Sequence, residues 1–278
     1  MRRRSDLPTF SIVTPSYNQG KYVAETIESV LTQDYPNLEY SVVDGGSDDG
    51  SVEILKQYSD RLAFWVSEKD EGQSDAIAKG FSRTTGEYLA WVNSDDAYLR
   101  GALRHIGKFL GEYRSVDVVI GGMIVGDADG YVKRVLRPAR SIPGCSRRGI
   151  FDLLQPSMFF RRSLYASVGG IRRDLHCRMD VDLFHRMIEA GARFAFVRRP
   201  ISFMRAQPLR KTATWRPKFE LERSRFWREQ GYNALEDWTA KMVFRFWKAM
   251  SGKYFCDWLE TRRLRGSHFR VLECDSCS

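Results

Sequence analysis

Short apolar runs that end in polar turns recur along the N-terminal half of the chain, and a segment with helical periodicity follows each one. The runs start near residues 10, 38, 62 and 88, and the first intervening segment carries Val23, Ile27 and Val30 on one helical face. Strands that alternate with helices in this way form βαβ units with right-handed crossovers. The pattern predicts an α/β fold with a doubly wound, mostly parallel sheet and helices on both faces.

The rest of the chain continues this alternation less regularly up to about residue 212. The polar, basic residues 137–149 contain Pro143 and Gly144 and predict a loop over a pocket. The other predicted elements are a helix over 99–113, a strand over 116–122, a hairpin over 123–138, a short strand over 155–161, a helix over 180–190 and strands over 194–197 and 201–204.

Residues 213–278 differ from the rest of the chain in composition and charge. They carry five of the seven tryptophans, and the segment from Arg205 onward has 16 Lys and Arg against 9 Asp and Glu, which accounts for most of the net charge of +9. We expect a basic, Trp-rich helical extension that follows a catalytic domain over 1–212. The extension either packs on that domain or on a second subunit, or lies at a membrane surface. No nucleic-acid-binding motif is present, so nucleic acid is not an expected partner.

Targeting signals are not apparent in the sequence. No apolar run of about 18 residues occurs, and the basic start, Met1–Asp6, precedes only a short strand. The five cysteines are scattered and odd in number, which favours a reducing compartment; Cys274 and Cys277 form a lone Cys-x-x-Cys with little support for a zinc or redox role. We therefore expect a cytoplasmic protein, with peripheral contact at the inner face of the cell membrane left open.

Two adjacent carboxylates follow the apolar run over residues 88–92. Asp95 and Asp96 stand where that strand should end, and ligands of open α/β sheets bind at the carboxyl ends of the strands. Paired anions need a compensating cation, and oxygen ligands suit Mg²⁺ or Mn²⁺. The alternative is that one of the two caps the next helix or lies in a solvated turn.

Four segments and two later motifs together resemble the family 2 glycosyltransferases of the GT-A fold. The resemblance covers roughly residues 8–212 and implies an inverting transfer of a sugar from a nucleotide diphosphate sugar, with a divalent metal such as Mn²⁺ or Mg²⁺, to the hydroxyl of a saccharide or lipid-linked acceptor in polysaccharide or glycolipid biosynthesis. The matching segments are Thr14-Pro15-Ser16-Tyr17-Asn18, the run from Val43 to Ser51, Ser67-Glu68-Lys69-Asp70-Glu71-Gly72, Asn93-Ser94-Asp95-Asp96, Gln155-Pro156 and Asp180-Val181-Asp182.

The resemblance assigns the chemical roles to three aspartates. It implies that Asp96 is the direct metal ligand, that Asp95 meets the ribose or a metal-bound water, and that Asp180 is the base that takes the acceptor's proton. From the residues alone, Asp180 reads equally well as the N-cap of the following helix, and Asp182 as an ion-pair partner of Arg186 one turn later.

The resemblance also implies a donor site. Pro15, Tyr17 and Asp44 match positions that cradle the nucleoside. Asp75 and Lys79 fall on the helix that faces it, although Lys79 also suits a solvated face. Arg205 and the loop over 207–212 match a loop that closes on metal and diphosphate, where Arg210 and Lys211 suit phosphate charge.

Four positions depart from the family pattern. Gly45, Ala78, Met179 and Gln207 stand where many members carry an Asp, an Asn, an acid and a His metal ligand. These departures bear on the identity of the nucleobase, on the environment of Asp180 and on the metal coordination. Two alternatives stay open: a nucleotidylyltransferase-like enzyme of similar fold, and a non-catalytic nucleotide-binding scaffold, which Gly45, Met179 and Gln207 make possible. The former needs a Gly-rich, Lys-bearing loop after the first strand, which residues 15–20 lack.

Overall fold

The computed structural model describes residues 7–139, 152–207, 215–231 and 234–274. The predicted loop over 137–149 and the donor-site residues Arg210 and Lys211 therefore lie largely or wholly outside the described residues. The strands are β1 (Phe10–Ser16), β2 (Leu38–Asp44), β3 (Phe64–Ser67), β4 (Tyr88–Trp91), β5 (Ala97–Tyr98), β6 (Val118–Gly126), β7 (Val132–Leu136), β8 (Met158–Arg161) and β9 (Phe194–Arg205). The helices are α1 (Val23–Leu31), α2 (Ser51–Gln57), α3 (Gln73–Ser82), α4 (Ala102–Glu112), α5 (Arg162–Ser167), α6 (Met179–Glu189), α7 (Arg216–Glu229), α8 (Ala234–Met250) and α9 (Lys253–Leu264).

The strands form one mixed sheet in the order β3-β2-β1-β4-β8-β6-β9-β5, with β7 paired to β6. The first four are parallel, which confirms the α/β fold predicted from the alternation. Beyond β4 the sheet departs from the expected parallel arrangement, because β8 runs antiparallel to both β4 and β6, and β5 runs antiparallel to β9. A buried strand reads as the same apolar run in either direction, so its orientation was not encoded in the pattern.

Helices cover both faces of the sheet, as expected. One face packs against α1 and α4, whose residues Ile27 and Leu103 lie in a core with Phe10 and Tyr40. The other face packs against α3 and α6, where Phe184 stacks on Trp91 of β4 with ring centroids 6.4 Å apart. Because α6 rests on β4, the helix that carries Asp180 is tied to the strand that leads into Asp95 and Asp96.

Several element bounds differ from the prediction. The two strands expected over 194–204 form one strand, β9, whose pairing with β6 shifts register at Gly121 and Gly122, where Pro200 lies opposite. An irregularity at that point accommodates the residue that lacks an N–H. The expected strand over 155–161 begins with a 3₁₀ turn, Gln155–Ser157, and the helix expected from residue 99 starts at Ala102 after the short strand β5.

The C-terminal extension consists of α7, α8 and α9, followed by a 3₁₀ turn, Phe269–Val271. Leu264, Phe269 and Leu272 complete a third core cluster together with Phe203 of β9 and other residues of the sheet. The end of the described chain therefore packs on the sheet, which is one of the alternatives left open by the sequence. Among the described helices, none is long and apolar enough to cross a membrane.

Candidate active site

The loops that follow β1 and β2 are joined by backbone to side-chain hydrogen bonds. The N–H of Asn18 donates to Oγ of Ser47 at 2.8 Å, and the N–H of Gly20 donates to Oδ2 of Asp49 at 2.7 Å. The Asn18 amide oxygen in turn accepts from the N–H of Asp48 at 3.1 Å. Since β1 and β2 are parallel neighbours, these loops form one continuous rim at the carboxyl edge of the sheet.

Asp44, the last residue of β2, holds this rim from below. Its side chain is fully buried and accepts from the N–H groups of Gly46 (3.1 Å) and Ser47 (2.8 Å) and from the hydroxyls of Ser47 (2.5 Å) and Ser67 (2.7 Å). Four donors on one carboxylate orient the loop after β2 and link it to the end of β3. The other two predicted nucleoside residues lie at the end of β1: Pro15 is buried in the strand, and the Tyr17 ring is 63% exposed above it.

Gly45 faces a carboxylate from the neighbouring loop. A Cβ at this position would lie 3.0 Å from Oδ2 of Asp70, and the Gly45 N–H donates to the Ser16 carbonyl at 2.8 Å. Burial raises the pKa of Asp70, and the nearby carboxylates of Asp75 and Asp44 act in the same direction. An acid therefore stands beside residue 45 even though the family's second Asp is missing there, and Asp70 is a site residue that the sequence reasoning quoted only as part of a motif.

Asp75 and Lys79 lie on α3 and both take part in ion pairs. Asp75 contacts Arg173 at 3.1 Å and Lys79 at 3.9 Å, whereas the Lys79 ammonium donates to Glu68 at 2.7 Å. Lys79 is therefore drawn toward the end of β3 and is not simply a solvated residue. This geometry does not leave its ammonium unpaired for a phosphate.

Asp95 and Asp96 follow β4 and differ in exposure. Asp96 is buried, and its two carboxylate oxygens accept from the Arg205 N–H at 3.0 Å and from the Asn93 amide at 3.1 Å. Asp95 is less buried, and its Oδ2 accepts from the Gln207 amide at 2.6 Å. The capping alternative does not hold, because α4 begins at Ala102 after Gly101 and has no side-chain cap.

Burial raises the pKa of both carboxyl groups in this pair. For Asp96 the proximity of the Asp95 charge adds to the effect, and for Asp95 the Gln207 hydrogen bond opposes it. Two neighbouring acids that resist ionisation are the donor set that a divalent cation would stabilise. Within the described ranges no group of three or more acids, histidines or cysteines is arranged so that it could hold a metal ion. Two carboxylates fit a metal that shares its remaining positions with water and substrate phosphate.

Arg205 does not reach into the site as a free cation. Its guanidinium is buried, forms an ion pair with Glu25, and donates to the carbonyls of Ala128 (2.7 Å) and Asp95 (3.1 Å). The Tyr22 ring lies 4.7 Å below it. Arg205 thus anchors the acidic loop from behind, and the predicted contact with a diphosphate is not available in this arrangement.

A network of amides supports the carboxylate pair and was missed by the sequence reasoning. Gln73 donates to the side-chain amide oxygen of Asn93 at 2.6 Å, and the side-chain amide of Asn93 donates to both Asp96 and Gln155. Gln155 also donates to the Trp91 carbonyl at 2.9 Å. The available signals were the family matches at Asn93-Ser94-Asp95-Asp96 and Gln155-Pro156, which do not show that the amides bond to one another, since the three come from distant parts of the chain.

Asp180 lies in the first turn of α6, and its Oδ1 accepts from the Val181 N–H at 2.8 Å. The helix begins at Met179 with Arg178 at its N-cap position, so Asp180 is not the cap. Burial raises the pKa of Asp180, although the Val181 N–H and the Arg178 charge partly offset this. Its neighbour Asp182 pairs with Arg186 at 2.6 Å, as one alternative predicted.

The loop before Asp180 is held by an acid from the C-terminal extension. Glu222 of α7 is buried and accepts from three successive N–H groups, those of His176 (2.9 Å), Cys177 (2.9 Å) and Arg178 (3.0 Å). Consecutive N–H groups that converge in this way form an anion-binding concavity. The extension therefore shapes the start of the helix that carries Asp180, a contact for which the sequence offers no signal.

The sequence comparisons agree with this arrangement. The model of glycosyl transferase family 2 matches residues 11–169, and the chain therefore belongs to that family. It is a glycosyltransferase with a GT-A-like fold. EpsE from Bacillus subtilis (strain 168), provisionally named a glycosyltransferase, is 32% identical over 196 residues, which cover 67% of this chain and 69% of EpsE. TuaG from the same organism, provisionally named a teichuronic acid biosynthesis glycosyltransferase, is 36% identical over 108 residues, or 38% of this chain and 43% of TuaG.

Two solved structures share the fold at low sequence identity. S. aureus TarS 1-349 superposes with a TM-score of 0.56 at 21% identity, covering 71% of this chain and 60% of that one. The mannosyltransferase PcManGT from Pyrobaculum calidifontis, in complex with GDP-Man and Mn²⁺, gives a TM-score of 0.57 at 21% identity, covering 78% and 62%. The chain thus spans about three fifths of the length of these two proteins.

Proposed function

We propose that the chain transfers a sugar, with inversion, from a nucleotide diphosphate sugar to a hydroxyl of a saccharide or lipid-linked acceptor in polysaccharide or glycolipid biosynthesis. The observation that carries the proposal is the pair of adjacent carboxylates, the half-buried Asp95 and the buried Asp96, at the carboxyl edge of the parallel strands. Burial raises the pKa of both acids, so holding two carboxylates side by side here is unfavourable unless a cation offsets their charge. The pair suits a site where a cation and a diphosphate meet.

The donor's nucleoside fits the rim formed by the loops after β1 and β2. Tyr17 offers an exposed ring for a base to stack on, and Pro15 fixes the backbone beside it. Asp44 acts from below by orienting the loop, because its own oxygens are occupied by four donors. Asp70 and Asp75 line the same edge and suit acceptance from sugar or base N–H and O–H groups. Arg210 and Lys211, outside the described residues, stay predicted phosphate contacts.

The contacts favour Asp95 over Asp96 as the direct metal ligand, the reverse of the order implied by the family resemblance. In the part of the chain that the structure describes, both oxygens of Asp96 accept internal hydrogen bonds, whereas Asp95 accepts from the neighbouring Gln207 side chain at Oδ2. When bound, Mg²⁺ or Mn²⁺ would stabilise the charge that grows on the departing diphosphate. Asp96 would orient the loop that carries Asp95, and its negative charge would favour a cation at this position.

Asp180 is the proposed base. Its raised pKa gives the carboxylate a higher proton affinity than an ordinary aspartate, which suits removal of a proton from an acceptor hydroxyl. Inversion requires that this group act on the sugar face opposite the leaving diphosphate. The Glu222 contacts hold the preceding loop so that the α6 N-terminus has a defined position.

The related proteins support a nucleotide-sugar donor and leave the particular sugar open. TarS has been solved in complex with UDP-GlcNAc, and PcManGT with GDP-Man and Mn²⁺. TuaG is named for teichuronic acid biosynthesis. We extend these features to the present chain as part of the proposal, together with a peripheral position at the inner face of the cell membrane for the basic residues 213–278.

The test is a panel of nucleotide sugars incubated with the protein and Mn²⁺, with and without a chelator. We expect slow donor hydrolysis or transfer with at least one donor, and loss of that turnover when the chelator is added. Nucleotidyl transfer would instead yield a sugar nucleotide from a sugar phosphate and a nucleoside triphosphate. If no donor gives turnover and none binds in a metal-dependent way, the chain is a non-catalytic scaffold.

A further inference from the structure

Helix α9 has its charged side turned inward and its apolar side turned outward. The buried residues of this helix are Lys253, Asp257, Glu260 and Leu264. Between them lie exposed apolar residues. The Phe255 and Trp258 side chains are 62% and 52% exposed, and the neighbouring Tyr254 and Leu259 are also exposed. A helix that served only to cover the sheet would turn its apolar side chains inward and its charged side chains outward.

Polar contacts explain why the charged side faces inward. The Arg137 N–H donates to Asp257 at 3.2 Å, the Arg137 guanidinium pairs with Glu260, and the Val135 N–H donates to Thr261 at 2.9 Å. These bonds satisfy backbone groups of strand β7 and of the residues that follow it. The helix is therefore fastened to a strand by polar groups, and its aromatic residues are not needed for that attachment.

Helix α8 extends the outward apolar surface. Its inward side carries Ala240 and Phe244, whereas Val243, Phe246 and Met250 are exposed, Phe246 by 70%. Together with Tyr254, Phe255, Trp258 and Leu259 of α9, these three residues make up what we term the aromatic face. On each of the two helices these exposed residues are spaced so that they share one side, whereas the exposed apolar residues that are normal on a soluble protein are scattered singly.

The charges around the aromatic face have a single sign. Between residues 238 and 265, every exposed residue is apolar, Thr, Ser or Arg, and the arginines are Arg245, Arg262, Arg263 and Arg265. The only acids in that range, Asp257 and Glu260, are buried. A cavity of about 740 Å³ between β7 and α9 adjoins this face; Arg134, Arg262, Arg265, Tyr254 and Trp258 line it, and the acids Asp152 and Asp257 also belong to its lining.

We propose that the aromatic face seats the protein on a lipid bilayer with anionic headgroups, with the aromatic rings in the interface and the arginines against the phosphates. Aromatic and basic residues on a helix that lies in the plane of the membrane are what such a surface selects. A second copy of the chain fits less well, because a two-fold contact through this face would set arginine against arginine with no exposed acid between residues 238 and 265 to meet them. The inference deepens the peripheral membrane position within the proposed function and rests on it.

The experiment is flotation of the full-length protein with vesicles of phosphatidylcholine alone or mixed with phosphatidylglycerol. We expect binding only to the anionic vesicles, with a partition that weakens as salt is added. Replacing Phe255→Ala and Trp258→Ala together should lower the partition about tenfold. Replacing Arg262→Gln and Arg265→Gln should lower it about fivefold per arginine. The replaced side chains are all exposed, so the fold has little reason to suffer.

Two controls and a parallel measurement make the outcomes distinct. The control substitutions Tyr113→Ala and Arg104→Gln should leave the partition unchanged. Tyr113 has a similarly exposed ring just after the C-terminal end of α4, and Arg104 lies within that helix. Absence of binding to anionic vesicles, or equal loss in the controls, would overturn the inference. Sedimentation velocity that shows self-association, abolished by the Phe255 and Trp258 substitutions, would assign the face to a second copy instead. Donor hydrolysis measured on the same samples without vesicles tests sugar transfer separately.

Discussion

Glu222 offers the sharpest test of how the C-terminal extension supports the active site. Its carboxylate accepts from three successive N–H groups in the loop before Asp180, at 2.9 to 3.0 Å. A hydrogen bond to a charged group contributes roughly 1.5 to 3 kcal/mol, but three on one carboxylate do not add fully, and water can reach a loop that is only partly buried. We therefore expect Glu222→Ala to cost about 3 kcal/mol of the free energy of unfolding.

The same substitution should impair chemistry more than donor binding. The freed loop lets the α6 N-terminus drift, and displacement of a reacting group by about 1 Å can cost on the order of a hundredfold in rate. We expect kcat for transfer to fall by roughly tenfold to a hundredfold in Glu222→Ala, with the KM for the nucleotide sugar almost unchanged. Glu222→Gln keeps one acceptor oxygen for the loop, so its kcat should lie between those of the wild type and of Glu222→Ala.

A matched control lies on the same helix. Glu220 is exposed and forms an ion pair with Arg223 one turn away, so Glu220→Ala should change the unfolding free energy by less than about 0.5 kcal/mol and leave kcat as it is. The measurements are chemical denaturation and steady-state kinetics with the donor identified by the panel. If Glu222→Ala unfolds like the wild type, or if KM rises while kcat holds, the loop is not what Glu222 positions.

Three further perturbations address the carboxylates of the site. Asp180→Asn should retain donor binding and lose transfer; because burial raises the pKa of Asp180, its ionised form destabilises the fold, so the variant should also melt at a higher temperature at pH 7, a gain that disappears below the pKa of an unfolded aspartate, about 3.9. Asp95→Asn should abolish Mn²⁺-dependent nucleotide binding measured by calorimetry, and metal affinity in the wild type should fall as the pH is lowered through the raised pKa values of Asp95 and Asp96; equal metal affinity in this variant, with loss only in Asp96→Asn, would restore the opposite order of ligands. Gly45→Asp should weaken nucleotide binding and lower the melting temperature, because the added carboxylate would meet the Asp70 oxygens; an unchanged melting curve would show that the Asp70 loop yields.

The parallel half of the fold was predictable because local pattern and tertiary position agree there. Each of the first four strands is an apolar run followed by a turn and an amphipathic helix, and the periods of two and 3.6 residues separate strand from helix without knowledge of neighbours. The same reasoning placed Asp95 and Asp96 at the end of a buried strand, where the structure has them.

The antiparallel half was less accessible for a physical reason. A buried strand such as β8 has the same composition whichever way it runs, and the break suggested by Arg198, Arg199 and Pro200 is a register shift within one strand. The supporting residues of the site, Gln73, Asn93, Gln155 and Glu222, act through contacts between distant parts of the chain. Polar residues of these types are common on surfaces, so nothing local distinguishes them before the fold is known.

For helix α9, the composition predicted contact with the protein or with a membrane, and only the structure showed which side of the helix faces inward. Tryptophans interleaved with arginines indicated either a packed helix or a membrane surface, and a helix of this composition can serve both if its two sides differ. The inward side bonds to β7 through Asp257, Glu260 and Thr261, which leaves the rings of Phe255 and Trp258 outside. Because burying such rings is favourable by roughly 25 cal/mol per Å² of apolar surface, contact with a bilayer would supply a free energy that the isolated protein does not gain while they are exposed. The extension therefore links two tasks in one segment: α7 holds the loop before Asp180 through Glu222, while α8 and α9 present the surface at which a lipid-linked acceptor would be met.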